Sequence, residues 1–365
     1  MPDAPRHHPA RLVGFADALC QAAGLSPEKA GAVARTLVES DLLGHVTHGL
    51  ALLPRYLDDL AAGAMARDGE PEVLRDRGAC VTWNGRRLPG PWLTHKALDL
   101  ALERVATYGT VTVAIGDSHH IGCLAAYLTR ATERGYMLVL SSSAPAAAAV
   151  APHGARQAVL SPDPVAAGIP TDGDPILLDV SASITTINMA GKLEREGAHY
   201  PHPWLQDAAG NPSADPRVLG QGGSLLPAGG MDHGQKGYAW ALMTEALTQG
   251  LAGHGRADRP QGLTAAVLLQ LYDPEAFGGL AGFTRQTSFT AAACRDAAPR
   301  PGVSWVRLPG ESGLAHRRDA MARGIALAPA ILAALAGPAG KLGVALPQAL
   351  PAGTAPAPIA APIAE

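Results

Sequence analysis

Val111-Thr112-Val113-Ala114-Ile115 is an unbroken apolar and β-branched run, and what surrounds it restricts the folds open to this chain. A polar stretch from Asp117 to Gly122 follows, then an apolar periodic segment from Leu124 to Arg134 and a second run from Met137 to Leu140. Strand, polar loop, helix, strand is an α/β unit, and the loop is where such units meet ligands. Leu93, Ala97, Leu100, Ala101 and Val105 form the stripe of an amphipathic helix just before it. Ile176–Leu178 and Ala265–Leu271 read as further strands, and Tyr238–Leu251 as a helix behind the glycine-rich loop Gly229–Gly237.

The ends of the chain are helical in pattern. Ser26 is placed as an N-cap, with Glu28 and then Ala32, Val33, Leu37 and Val38 at helical spacing. Leu50, Leu53, Leu57 and Leu60 make another stripe, with Asp58 and Asp59 expected on its polar face. A final helical region is expected from Gly313 to Ala336. The Ala/Pro alternation after Pro347 reads as an unstructured tail, and no internal repeat is visible.

At 365 residues the chain suits about two domains. A net charge of −3 gives no basic face for nucleic acid or an anionic membrane. No run reaches the ~18 apolar residues of a span, and Met1–Leu12 is too polar to read as a secretory signal. The 4 cysteines form no CxxC pair, so they read as core filler in a reducing, cytoplasmic setting.

Histidine carries the chemistry. His48 stands between Thr47 and Gly49 at an expected helix start, where a neutral imidazole with a pKa of ~6.5 can pass a proton to a carbonyl or imine. Taken alone, the run reads more readily as Thr47 capping a helix beside an incidental histidine. Ser118-His119-His120-Ile121-Gly122 lies between a strand and a helix start, a place suited to phosphate or carboxylate. Lys236 ends the glycine-rich loop but has no Walker spacing, and Asp179 closes the run Ile176–Leu178 beside Ser181 and Ser183. Each of these also reads as an ordinary turn. No Gly-x-Gly-x-x-Gly follows a strand, so the usual dinucleotide fingerprint is absent. His45 and His48 lack the glutamate of a zinc HExxH pattern, and no metal is expected.

The order of these blocks resembles the type-2 malate/L-lactate dehydrogenase family. Asp41-Leu42-Leu43-Gly44-His45-Val46-Thr47-His48-Gly49, then Pro54-Arg55-Tyr56, is similar to its Ser-His-Gly block. Ser118–Gly122, Leu178–Ser183, the stretch from Pro201 and Trp204 to Asp215-Pro216, Lys236-Gly237-Tyr238 and Pro309-Gly310-Glu311 are similar to later blocks. The resemblance implies an α/β fold: a non-Rossmann, mixed-sheet NAD(P)-binding domain over 73–312, and a helical domain from both chain ends, 8–72 with 313–340. The tail is set at 347–365. It implies hydride transfer between NADPH or NADH and a keto or cyclic imino group of a small molecule, in a homodimer with its site at the subunit interface. His48 would donate the proton, with Asp179 as partner and Thr47 orienting it. Ser118, His120, Gly122, Asp163, Ser183, Lys236, Gly310 and Glu311 would serve the cofactor, and His119, Arg55 and Tyr56 the substrate.

Departures cluster at this site. Leu52 stands where the family commonly has a carboxylate-binding arginine, and Asn188-Met189 replaces a Gly-Lys pair. Ser161-Pro162-Asp163-Pro164 replaces a Gly-Thr-Asn-Pro turn and is expected to bring a negative charge near the cofactor. Loss of the two cations argues against a dicarboxylate such as malate and favours a cyclic imine, a larger biosynthetic intermediate or a substrate without the usual carboxylate. The substituted turn also admits a second reading, non-redox proton transfer (isomerase, lyase or cyclase) on the same fold.

Overall fold

The computed structural model describes residues 5–351. They divide into two compact units, one holding residues up to Asp68 and from Gly310 onward, the other Gly69–Pro309.

The first unit opens with β1 (Arg6–His7), α1 (Pro9–Ala22), α2 (Pro27–Leu42) and α3 (Leu53–Ala61). Ser26 caps α2 as expected, its hydroxyl accepting from the Lys29 N–H at 3.4 Å. α1 lies against α2, burying Leu12, Phe15 and Leu19 with Val33 and Leu37. The stripe from Leu50 begins as a single 3-10 turn, Leu50–Leu52, before α3 proper. Pro54 falls in the first turn of α3, where its missing N–H has no helical partner to lose. Asp59 departs from its expected polar face: it is 5% exposed and accepts from Arg55 Nε at 2.9 Å. Its spacing of three from Tyr56, another buried residue, puts it at the edge of the apolar stripe.

The second unit is built on a seven-stranded sheet. In chain order its elements are β2 (Glu72–Asp76), β3 (Cys80–Asn84), α4 (Gly90–Tyr108), β4 (Thr110–His119), α5 (Thr129–Thr132), β5 (Met137–Ser143), β6 (Val165–Ile169), β7 (Ile176–Val180) and α6 (Ile187–Arg195). After them come β8 (Leu205–Gln206), β9 (Pro212–Ser213), β10 (Ser224–Leu225), α7 (Gly230–His233), α8 (Gln235–Glu245), β11 (Thr264–Tyr272) and α9 (Leu280–Asp296). The large sheet runs β2-β3-β4-β11-β5-β6-β7, and only β3 and β4 pair in parallel. With that single parallel pair, this mixed sheet lacks the parallel order of a doubly wound fold.

β11 separates β4 from β5, so the two strands of the sequence-level α/β unit are not neighbours. Pairing with β11 also carries β4 through Ser118 and His119, which the sequence places in a loop. The helix expected at 124–134 is broken into a 3-10 turn, Leu124–Tyr127, and α5. That expected at 238–251 ends as a π turn over Ala246–Gly250.

The chain then returns to the first unit with α10 (Glu311–Arg323), β12 (Ile325–Ala326) and α11 (Pro329–Leu342). The expected single helical region is therefore interrupted at Gly324, whose φ of +86° breaks α10, and β12 pairs with β1. Of the tail set at 347–365, residues 352–365 lie outside the described residues. The Leu350 N–H within its described part donates to the Arg6 carbonyl at 2.7 Å.

Candidate active site

In the first unit the functional side chains sit on the turn between α2 and α3. The Thr47 hydroxyl lies 3.0 Å from His48 Nδ1. A hydroxyl can donate to that nitrogen in the neutral ring and accept from it in the imidazolium, so Thr47 serves both proton states. Asp41 anchors the turn from below. Its carboxyl accepts from the Leu50 N–H at 2.9 Å and occupies the space into which a Cβ on Gly49 would project. Only glycine lets the chain pass this close. Burial pushes Asp41 up to about 7, against the Leu50 hydrogen bond, which favours the charged form. Asp41 belongs to the block named above but has no role legible from its sequence position.

Of the other first-unit residues, Tyr56 is 1% exposed, and Arg55 is 58% exposed in its side chain while bound to Asp59 through Nε. Gly310 caps α10 with a left-handed φ of +88°, and Glu311 is the first residue of that helix. Nearby, His316 Nδ1 lies 2.8 Å from the Leu42 carbonyl, tying α10 to the end of α2.

The second unit gathers four sequence blocks at the end of β7. Asp179 Oδ2 accepts from the Ala125 N–H at 2.9 Å and from Cys123 Sγ at 3.4 Å, joining the strand end to the segment after Gly122. The Ala182 N–H donates to the Pro162 carbonyl, and the Ala228 N–H to the Ala182 carbonyl. Gly237 is pressed so closely on the Ala182 and Ala228 backbone that a Cβ would overlap both. The exposed Lys236, at the start of the 11-residue α8, is thereby held beside the Asp179–Ser183 segment. Ser183 is spent internally, donating to the Thr185 carbonyl at 2.6 Å. His120 Nδ1 accepts from the Gly122 N–H at 3.2 Å, which leaves an N–H at Nε2 of the neutral ring. Ser118 and His119 are wholly buried, with Ser118 Oγ donating to the His119 carbonyl at 2.7 Å.

Asp163 is also wholly buried, with a left-handed φ of +47°, and accepts from Ser161. Burial first, and the Glu245 carboxylate second, push its carboxyl well above the usual range. The substituted turn therefore turns its acid inward, toward the uncharged form, instead of presenting a charge outward. Glu245 in turn pairs with Arg256, which donates to the Pro145 and Ala147 carbonyls. The π turn directs Gln249 and Thr248 onto Ser143, at 3.0 and 2.7 Å. This network, which the sequence does not reveal, fixes the loop after β5.

The cysteines divide in two. Cys20 and Cys123 are buried, whereas Cys80 and Cys294 are exposed, against the expectation that all fill the core.

The sequence profile described as malate/L-lactate dehydrogenase matches residues 8–336. The chain belongs to this dehydrogenase family. An L-lactate dehydrogenase of Cupriavidus necator is 32% identical over 326 residues, covering 87% of this chain and 92% of the relative. A Delta(1)-pyrroline-2-carboxylate/Delta(1)-piperideine-2-carboxylate reductase of Pseudomonas syringae pv. tomato is 31% identical, covering 85% and 89%. The solved malate dehydrogenase of Pyrococcus horikoshii superposes with a TM-score of 0.85 at 25% identity, covering 95% of this chain and 97% of that one. The protein is thus an NAD(P)-dependent dehydrogenase, and the non-redox reading is not favoured. No described helix of this dehydrogenase is long and apolar enough to cross a membrane.

Proposed function

We propose that this dehydrogenase reduces a keto or cyclic imino carbon next to a single carboxylate, with His48 as proton donor and Asp179 as its carboxylate partner. The observation that carries the reading is the Thr47–His48 hydrogen bond on a turn pinned by Asp41. The nicotinamide, when bound, supplies the hydride. Lys236, at a helix start backed by close-packed Gly237, suits the negative charge of the cofactor's phosphates. The buried Ser118, Asp163 and Ser183 act as supports that hold these segments, and Gly310 and Glu311 set the start of α10.

During reduction His48 releases its proton to the forming alkoxide or amine. Thr47 keeps the ring oriented, and a carboxylate at Asp179 favours the imidazolium from which the proton leaves. Leu52 and Met189 offer no cation, which supports a substrate with one carboxylate, held by the free end of Arg55. Tyr56 and His119, both buried, act as internal supports within their own units. The names of the two relatives above, which give lactate and cyclic imine carboxylates, support the same class.

A homodimer with the site at the subunit interface completes the reading. Its support is the apolar surface on and after α8, where Leu242, Met243 and Leu251 are 47%, 52% and 55% exposed.

The test is oxidation of NADH and NADPH against a panel of 2-keto monocarboxylates, 2-keto dicarboxylates and cyclic imine carboxylates. Turnover of monocarboxylates or cyclic imines well above the dicarboxylates supports the proposal; a preference for dicarboxylates overturns its substrate class.

A further inference from the structure

Asp179 is held unevenly. The Ala125 N–H and the Cys123 thiol, at 2.9 and 3.4 Å, both fall on Oδ2, and among the described residues Oδ1 receives no hydrogen bond. An imidazole partner needs one carboxylate oxygen free and the plane of the carboxylate fixed. Cys123 meets both needs at once, because it occupies the far oxygen. The donor comes from a segment 56 residues away in sequence, so the contact is a product of the fold and not of local turn geometry.

We infer that Cys123 is a positioning residue for Asp179, its S–H donating to Oδ2 so that the carboxylate is held in one orientation with Oδ1 left open. The inference rests on the role given to Asp179 above. It also assigns the thiol a fixed chemical state. Burial, and the Asp179 charge after it, push Cys123 well above the ordinary thiol range, so the donor keeps its proton throughout the working range of the enzyme. A buried thiol in this state is a poor nucleophile and metal ligand, which separates Cys123 from the exposed Cys80 and Cys294. A simple apolar filler would have no reason to place sulfur against a carboxylate oxygen.

The experiment compares C123A, C123S and D179N with the wild-type enzyme by steady-state kinetics and by the infrared S–H stretch. Loss of a donor to a charged acceptor is expected to lower kcat in C123A by roughly three- to ten-fold with KM unchanged. C123S, which restores a donor, should recover it. The S–H band assigned by its loss in C123A should move to higher frequency in D179N, whose amide is a weaker acceptor. A wild-type kcat in C123A, or an unmoved S–H band in D179N, would overturn the inference. A wild-type kcat in D179N would instead overturn the role of Asp179 itself. A large loss in D179N beside an unchanged C123A leaves that role standing and removes only the one given to Cys123.

Discussion

The hydroxyl of Thr47 and Nδ1 of His48 lie 3.0 Å apart, on a turn whose backbone is tied to Asp41 through Leu50. The histidine is therefore held from two sides before any substrate arrives. A general acid gains from this, because a ring already oriented loses less freedom on reaching the transition state.

Removing the imidazole should abolish most of the chemistry and little of the binding. His48→Ala is expected to lower kcat by roughly 10²–10⁴-fold. Thr47→Val should lower it by about ten-fold and Thr47→Ser should restore it, since the hydroxyl alone is at issue. Steady-state kinetics with a parallel cofactor titration checks both, and a large loss of cofactor affinity in His48→Ala would contradict the assignment.

Gly49 is fixed by the carboxyl of Asp41, which fills the place of any Cβ. Gly49→Ala should cost about 1–3 kcal/mol of stability and displace the neighbouring His48. Denaturant unfolding measures the first effect, and kcat the second.

Asp41 makes stability depend on pH in a direction that can be stated. Its folded pKa is raised from 3.8 to about 7, so between these values the folded chain holds a proton that the unfolded chain has released. Stability contributed by the protonated carboxyl is therefore present at low pH, declines as pH rises through this window, and levels above it. Asp163, raised by burial and by Glu245, acts with the same sign. Asp41→Asn should flatten the decline in the thermal midpoint across about pH 4 to 8, and an unchanged slope would rule Asp41 out as its source.

Lys236 is the cation best placed for the cofactor's phosphates. Lys236→Ala should weaken NADH or NADPH binding by about ten-fold and reduce its salt dependence, while Lys236→Arg retains most of it. Fluorescence titration reads the change directly. Binding equal to wild type in Lys236→Ala would place the phosphates elsewhere.

An apolar face on and after α8 predicts self-association. Leu242→Asp together with Met243→Asp should yield a monomer by sedimentation, with most of the activity lost. A dimer that survives both changes would move the interface.

Much of the fold can be read from local pattern, and the rest fails for identifiable reasons. The Ser26 cap, the Val111–Ile115 core of β4 and the apolar run of β11 follow from spacing and side-chain type. The insertion of β11 between β4 and β5 does not, because antiparallel pairing across more than a hundred residues leaves no mark on a local window. α9 is silent in the sequence, since Ala291 is its only buried residue and no apolar stripe forms. At the site, Thr47, His48 and Asp179 stand out as residue types in an ordered set of blocks. Asp41, Cys123 and the Asp163–Glu245–Arg256 network act through burial and distant contacts, which a linear reading does not contain.

Hydride transfer, with the proton coming from His48, leaves a trace in the product. Its most direct test is a reaction with cofactor deuterated at the transferring carbon, followed by mass spectrometry and NMR of the product. One deuterium is expected at the former keto or imino carbon for each cofactor oxidised, and no such product on this timescale with His48→Ala. A product formed without deuterium, or without oxidation of either NADH or NADPH, would contradict it.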